Sequence, residues 1–138
     1  MVDIFDRRTR SRIMSSIKGK HTKPEKVMRK LLRSSGIKFS IYSELPGHPD
    51  IVIKAKRLAV FIDGDFWHGW HYLQRRKALS SFWRNKLEVN IRRDKKQRLA
   101  LRKMGWRVIR IWEHEITATP LKSLKKISRA LNTRYYKL

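Results

Sequence analysis

Two neighbouring apolar runs constrain this chain more than any other feature. Ile51-Val52-Ile53 is followed, after Lys54-Ala55-Lys56, by Leu58-Ala59-Val60-Phe61-Ile62. Unbroken apolar runs of this length read as buried strands. The short basic segment between them reads as a hairpin turn. Acids flank the pair: Pro49-Asp50 enters the first run, and Asp63-Gly64-Asp65 leaves the second before Phe66-Trp67-His68-Gly69-Trp70-His71-Tyr72. A hairpin brings Asp50 and the Asp63–His68 segment side by side on adjacent strands. Carboxylates and an imidazole delivered to one place by apolar strands suit metal-assisted hydrolysis.

The acids are informative because they are scarce. The chain has 35 Lys and Arg against 11 Asp and Glu, a formal net charge of +24. Three of the acids, Asp50, Asp63 and Asp65, fall beside the two apolar runs, where an unpaired carboxylate is costly. So large a positive charge repels itself and calls for a polyanion, nucleic acid being the commonest. With 41% hydrophobic residues, five Trp and five Phe, the composition is that of a globular protein and not of a disordered basic tail. Its length fits one domain with a real core. The absence of cysteine excludes disulfides and thiolate metal sites. The first residues carry Asp3, Asp6, Arg7 and Arg8 with no apolar signal-peptide core, and no window reaches membrane-spanning length. The expectation is a cytoplasmic protein associated with DNA and not with membranes.

Local signals supply the other elements. Asp6 to Lys18 is basic, with Ile13, Met14 and Ile17 at helical spacing, and reads as an N-terminal arm or short helix within residues 1–20. Arg7, Arg8, Arg10, Arg12 and Lys18 there are candidates for phosphate contact. Met14 reads as a core residue or, if exposed, as a wedge between bases. Thr22, with Glu25 three residues on, forms a capping box for a helix carrying Val27, Met28, Leu31 and Leu32 and stopping at Gly36. On these grounds alone Glu25 is a cap. Phe39 to Leu45 alternates apolar and polar residues and predicts a strand. Ser80 or Ser81 opens a long helix to Met104, with Gly105 as its stop. Asn90 and Asp94, four apart, share one face of it. Trp106 to Trp112 predicts another strand, and Pro120 opens a last helix within residues 120–138. This order implies an α/β fold, a single domain over 1–138 with a small mixed central sheet flanked by helices.

Taken singly, each candidate residue has a plainer explanation. Asp94 sits among Arg92, Arg93, Lys95 and Lys96 and reads as their surface partner. His68 reads as a histidine packed among aromatics. Phe66 and Trp67 read equally as core or as wedges into DNA.

The combination is more specific than its parts. The carriers are Ser11-Arg12 with Met14, then Glu25, Leu45-Pro46-Gly47-His48-Pro49-Asp50, and Gly64 with Phe66-Trp67-His68. Phe82-Trp83, Asn90 through Arg93-Asp94, and Gly105-Trp106-Arg107-Val108 with Trp112-Glu113 follow. In order and spacing this set resembles the very short patch repair (Vsr) endonucleases. The resemblance implies a restriction-endonuclease-like fold. It implies Mg2+-dependent cleavage of one strand of double-stranded DNA, 5′ to the T of a T:G mismatch, in DNA repair. By position it implies that Asp50 binds the metal together with the backbone carbonyl of Ile62. His68 matches the catalytic histidine, Asp94 the acid that orients it, and Glu25 an acidic catalytic-site residue. Met14, Phe66 and Trp67 match side chains that insert beside the mismatch, and Arg12 and Asn90 lie in matched segments expected to contact DNA. Mismatch-repair proteins are the implied partners, and a monomer is the expected state.

The chain also departs from that family. Where the family has structural zinc ligands this sequence has Asp65, Trp70, Tyr72 and His114, so no zinc site is expected, and Asp65 and His114 are expected to pair with each other. A site reassembled from Asp65, His68, His71 and His114 would have suitable ligand types but would consume the catalytic imidazole. Ile62 stands where the family has threonine and Asp63 where it has histidine, which makes Asp63 a further candidate metal ligand beside Glu25. The second strand ends in Asp63-Gly64-Asp65 without a lysine, consistent with a histidine as base. Two other functions remain open to these residues: a nuclease of the same fold with a homing or restriction target, and a non-catalytic basic nucleic-acid-binding module.

Overall fold

In the computed structural model, which describes residues 22–133, a three-stranded sheet separates two layers of helix. Strands β1 (Ile51–Ile53) and β2 (Leu58–Asp63) pair antiparallel, with Ile51 opposite Val60. A 3-10 turn at Lys54–Lys56 joins them and ends on Arg57 at φ 50°. The hairpin therefore forms where the two apolar runs place it. Strand β3 (Arg107–Trp112) lies parallel to β2 on its other edge, with Asp63 opposite Trp112. Parallel neighbours need a long crossover. Here it contains α2 (Tyr72–Arg75) and the long α3 (Ser81–Lys103).

Side-chain parity sorts the two faces of the sheet. Leu58, Val60 and Ile62 join Ile109 and Ile111 in the main core. That core is completed by Met28 and Leu32 of α1 (Lys23–Ser34), Ile116 of α4 (Glu113–Ala118) and Ile127 of α5 (Pro120–Thr133). Ala59 and Phe61 face the other way and meet Leu101 of α3, with Val108 packed alongside. Asp63 and Arg110 extend this second face toward the sheet's end.

The helix boundaries follow from their caps. Thr22 Oγ1 accepts from Glu25 N at 3.4 Å, and Ser80 Oγ accepts from Trp83 N at 3.4 Å. Gly105, at φ +88°, ends α3; its N–H donates to Arg102 O and that of Trp106 to Leu101 O, each at 3.0 Å. A positive φ of this kind favours glycine.

One expected strand is not there. Within Phe39–Leu45 only Ser40 pairs, through a bridge to Val52 with two bonds of 2.8 Å, and Tyr42 is 67% exposed. An alternating segment becomes a strand when a long edge receives it, and β1 offers three residues. Conversely, Glu113-His114-Glu115 opens helix α4, with the Glu115 carboxylate accepting from Trp112 N at 3.2 Å. The N-terminal arm expected within residues 1–20, including Arg12 and Met14, lies outside the described residues. Among these, no helix is long and apolar enough to cross a membrane. The architecture is the mixed sheet with flanking helices read from the sequence, consistent with a restriction-endonuclease-like fold.

Candidate active site

Beside the end of β2 lies a cleft of about 670 Å3. Five of the chain's 11 acids line it, Glu25, Asp50, Asp63, Asp94 and Glu113. Ile62, Trp67, His68 and Asn90 line it too. Residues that the sequence scatters from Glu25 to Glu113 thus share one space.

Asp50 enters β1, and the antiparallel register hands its carboxylate to β2. Ile62 N donates to Asp50 Oδ2 at 2.7 Å. Glu25, in the first turn of α1, reaches the same corner and pairs with Arg29 at 3.1 Å, both side chains being buried. Burial raises the Asp50 pKa, the Ile62 N–H opposes that, and the nearby charges of Glu25 and Asp63 raise it further, to about 7. At neutral pH this carboxyl is poised between its two protonation states and crowded by like charge. Glu113 is also raised, by burial first and then by the charges of Asp65 and Glu25.

His68 forms the opposite corner. Its Nδ1 lies 2.5 Å from Asp94 Oδ2, and its Nε2 lies 3.7 Å from Asp63 Oδ1. Asp94 is buried on α3, so it turns inward to His68, and of the surface bases around it Arg93 approaches its other oxygen at 3.7 Å. Burial alone would lower the imidazole pKa. The Asp94 hydrogen bond and the charges of Asp63 and Asp94 together outweigh it, and the net shift is upward. With Asp94 accepting the Nδ1 proton, Nε2 is the nitrogen left to exchange protons.

Arg110 ties this corner together. Its Nε donates to Asp63 Oδ2 at 2.5 Å, its Nη2 donates to the His68 carbonyl at 2.9 Å, and Nη2 stands 3.9 Å from Asp94 Oδ2. The guanidinium also covers the Trp112 ring, 4.1 Å from its centroid. Asp63 is therefore held by Arg110 through one oxygen and faces His68 with the other. Arg110 did not emerge from the sequence reading. The available signal was an arginine inside the apolar run Val108–Trp112, a position that favours a carboxylate partner.

The loop carrying His68 is fixed to α3 at several points. Asn90 Nδ2 donates to Trp67 O at 3.2 Å, and Tyr72 Oη donates to Glu88 Oε1 at 2.7 Å. Gly69 has φ +79°, and a Cβ there would lie 2.4 Å from Ile91 Cδ1; only glycine permits so close an approach. Phe66 and Trp67 are half-buried and make edge-on contacts with Trp83, at 5.6 Å each between centroids. The buried indole Nε1 of Trp67 has no hydrogen-bond partner among the described residues.

The acidic corner fits a hard divalent cation. Like-charge crowding at Asp50 is what such an ion relieves, and the available donors are oxygens. Among the described residues no three His, Cys, Asp or Glu side chains are grouped to hold a metal. An ion at Asp50 would draw on that carboxylate, on the backbone carbonyl of Ile62 and on water, a donor set of the kind Mg2+ accepts.

Residues 2–74, more than half of the chain, match the family model described as DNA mismatch endonuclease Vsr. The chain belongs to the Vsr family. It is 38% identical over 116 residues to the DNA mismatch endonuclease Vsr of Escherichia coli, covering 82% of this chain and 74% of that one. A type II nicking enzyme of Xanthomonas oryzae is 38% identical over 120 residues, 85% of this chain and 88% of the relative. One from Neisseria meningitidis serogroup C is 35% identical over 129 residues, 91% and 87%. Vsr-type proteins are metal-dependent DNA endonucleases.

In this Vsr-family chain Asp65 and His114 form the ion pair expected of them, Oδ1 to Nδ1 at 2.7 Å. Trp70 stacks on His71 with centroids 3.8 Å apart and leans on His114 at 4.3 Å. The four residues considered as a reassembled metal site are thus engaged otherwise: His68 with Asp94, His71 with Trp70, and Asp65 with His114.

Proposed function

We propose that this Vsr-family endonuclease nicks one strand of double-stranded DNA at T:G mismatches, with His68 activating the attacking water and Mg2+ bound at Asp50. The observation that carries the reading is the contact between His68 Nδ1 and buried Asp94, on the same cleft as Asp50. Relatives named as nicking and mismatch endonucleases support single-strand cleavage and a role in mismatch repair.

Asp94 fixes the His68 tautomer, so that Nε2 takes the proton from water. The imidazolium that forms lies between Asp94 and Asp63, both of which stabilise it. Asp50 and the Ile62 carbonyl would hold Mg2+, which when bound would supply charge neutralisation at the phosphate and acidic water for the leaving oxygen. Glu25 presses its charge on Asp50 from α1, and Arg29 balances Glu25; Asp63 serves this reading as the anion of Arg110, not as a ligand. Phe66 and Trp67, anchored through Asn90, insert beside the mismatch, where the unpartnered Trp67 N–H gains an acceptor. Arg12 and Met14 contribute DNA contacts from the N-terminal arm. The setting implied is a monomer acting in the cytoplasm beside mismatch-repair proteins.

Nicking of a supercoiled plasmid with Mg2+ tests the site. Asp50→Ala and His68→Ala are each expected to lower the rate by about 10³-fold while DNA binding persists, and wild-type rates in either variant would reject it. The acid limb of the pH–rate profile should lie above the ordinary histidine value of 6.5, because the raised pKa keeps His68 protonated to higher pH. Duplexes with T:G and T:A at one position test selectivity. Equal cleavage of both would favour a homing or restriction target.

A further inference from the structure

Three basic side chains line the cleft, and two are accounted for. Lys86 stands over the rings of Trp67 and Phe82, at 5.9 and 6.0 Å from their centroids. Arg93, 52% exposed, approaches Asp94 Oδ1 at 3.7 Å. Arg98 is different. It follows Asp94 by four residues on α3, so both occupy one helix face, and it lines the cleft with Asp50 and His68. Its guanidinium has no hydrogen-bond or ion-pair partner among the described residues.

The two acids whose charges bear on Arg98, Asp63 and Asp94, are already engaged. Asp63 is bound by Arg110, and Asp94 by His68. Burial lowers the Arg98 pKa, and Arg110 lowers it further, against the pull of Asp63 and Asp94. A partly buried guanidinium without an anion is costly unless a ligand brings one. The ligand this cleft receives is a phosphodiester, and the planar fork of arginine matches two of its oxygens.

We infer that Arg98 binds the non-bridging oxygens of the phosphate being cleaved and stabilises the charge they gain as water attacks. The inference deepens the reading of the site at Asp50 and His68 and rests on it. It divides the two arginines of this corner by role: Arg110 completes the scaffold, and Arg98 completes the substrate. Arginine suits the second task because its charge does not depend on pH and its donors are fixed in one plane.

The test compares Arg98→Ala and Arg98→Lys with Asp50→Ala and His68→Ala under single-turnover conditions with saturating enzyme. Arg98→Ala should slow cleavage by about 10²-fold while DNA affinity falls only about threefold. Arg98→Lys, which keeps the charge and guards against a folding defect, should fall between it and wild type. Added guanidinium should restore part of the rate of Arg98→Ala and none of that of His68→Ala. A measurement without cleavage uses DNA carrying a methylphosphonate at the mapped cleavage position, with divalent metal withheld. Wild type should bind it about threefold more weakly than native DNA, and Arg98→Ala should bind both alike. A wild-type rate in Arg98→Ala, a loss of rate that merely follows affinity, or a persisting methylphosphonate penalty would each overturn the inference. If Asp50→Ala and His68→Ala are inactive while Arg98→Ala is not, only the role of Arg98 falls. If those two variants nick normally, the site reading fails and this inference with it.

Discussion

Asp50 and Asp63 stand at the same end of one hairpin, yet their surroundings are opposite. Asp50 accepts one backbone N–H, is crowded by the charges of Glu25 and Asp63, and has no cationic partner among the described residues. Asp63 is clasped by Arg110 at 2.5 Å and lies 3.7 Å from His68 Nε2. Asp63 is buried and Asp50 half-buried, and the sharper difference between them is the presence of a cation. The Asp63 corner is complete as folded, and it works by holding His68 in place. The Asp50 corner has no such cation, and a carboxylate withdrawn from water without one is where, on the proposal above, a metal would gain binding energy.

Breaking the complete corner should have the largest effect on stability. Asp63→Asn leaves the Arg110 guanidinium without its principal anion, and the expected loss is about 3 kcal/mol in denaturant unfolding. A loss below about 1 kcal/mol would show that the pair does not hold this corner together.

The same substitution at the other corner should act in the opposite direction. Asp50→Asn is expected to stabilise the metal-free protein at pH 8 by about 2 kcal/mol. The sign follows from the folded-state pKa of about 7, raised from 3.8. Between those values the folded state holds a proton that the unfolded state has lost, so wild-type stability falls as pH rises through that window. Wild type and Asp50→Asn should therefore converge near about pH 4. Parallel stability curves over this range would remove the contrast between the two carboxylates.

The smallest effect sharpens the contrast most directly. Mg2+ at about ten times its Kd should stabilise wild type by about 1.4 kcal/mol and leave Asp50→Asn unmoved, with chelation reversing the gain. Equal shifts in both proteins, measured by thermal melting, would place the ion away from Asp50.

Much of this was legible in the chain. Local chemistry set the hairpin, the caps at Thr22 and Ser80, and the stop at Gly105, because each depends on a few adjacent residues. The motif residues Glu25, Asp50, His68 and Asp94 were legible as a set through their order and spacing, although each had a plainer reading alone. Glu25 shows why: it lies in a capped first turn and also in the acidic corner, and sequence displays only the first. The strand over Phe39–Leu45 was misread because alternation records two faces and not whether a neighbour is long enough to pair with them.

What the sequence determined by itself is the nature of the parts: a buried hairpin, a long capped helix, an excess of positive charge, and a few acids at strand ends. Those properties arise from propensity, periodicity and composition, all of which act over short stretches of chain. Only the tertiary structure decided which charges meet. Arg110 reaches Asp63 across a parallel strand pair, and Arg98 is left facing the cleft because that acid and Asp94 are already taken. Ion pairing depends on distances of a few ångströms between residues tens of positions apart, and no local pattern encodes them.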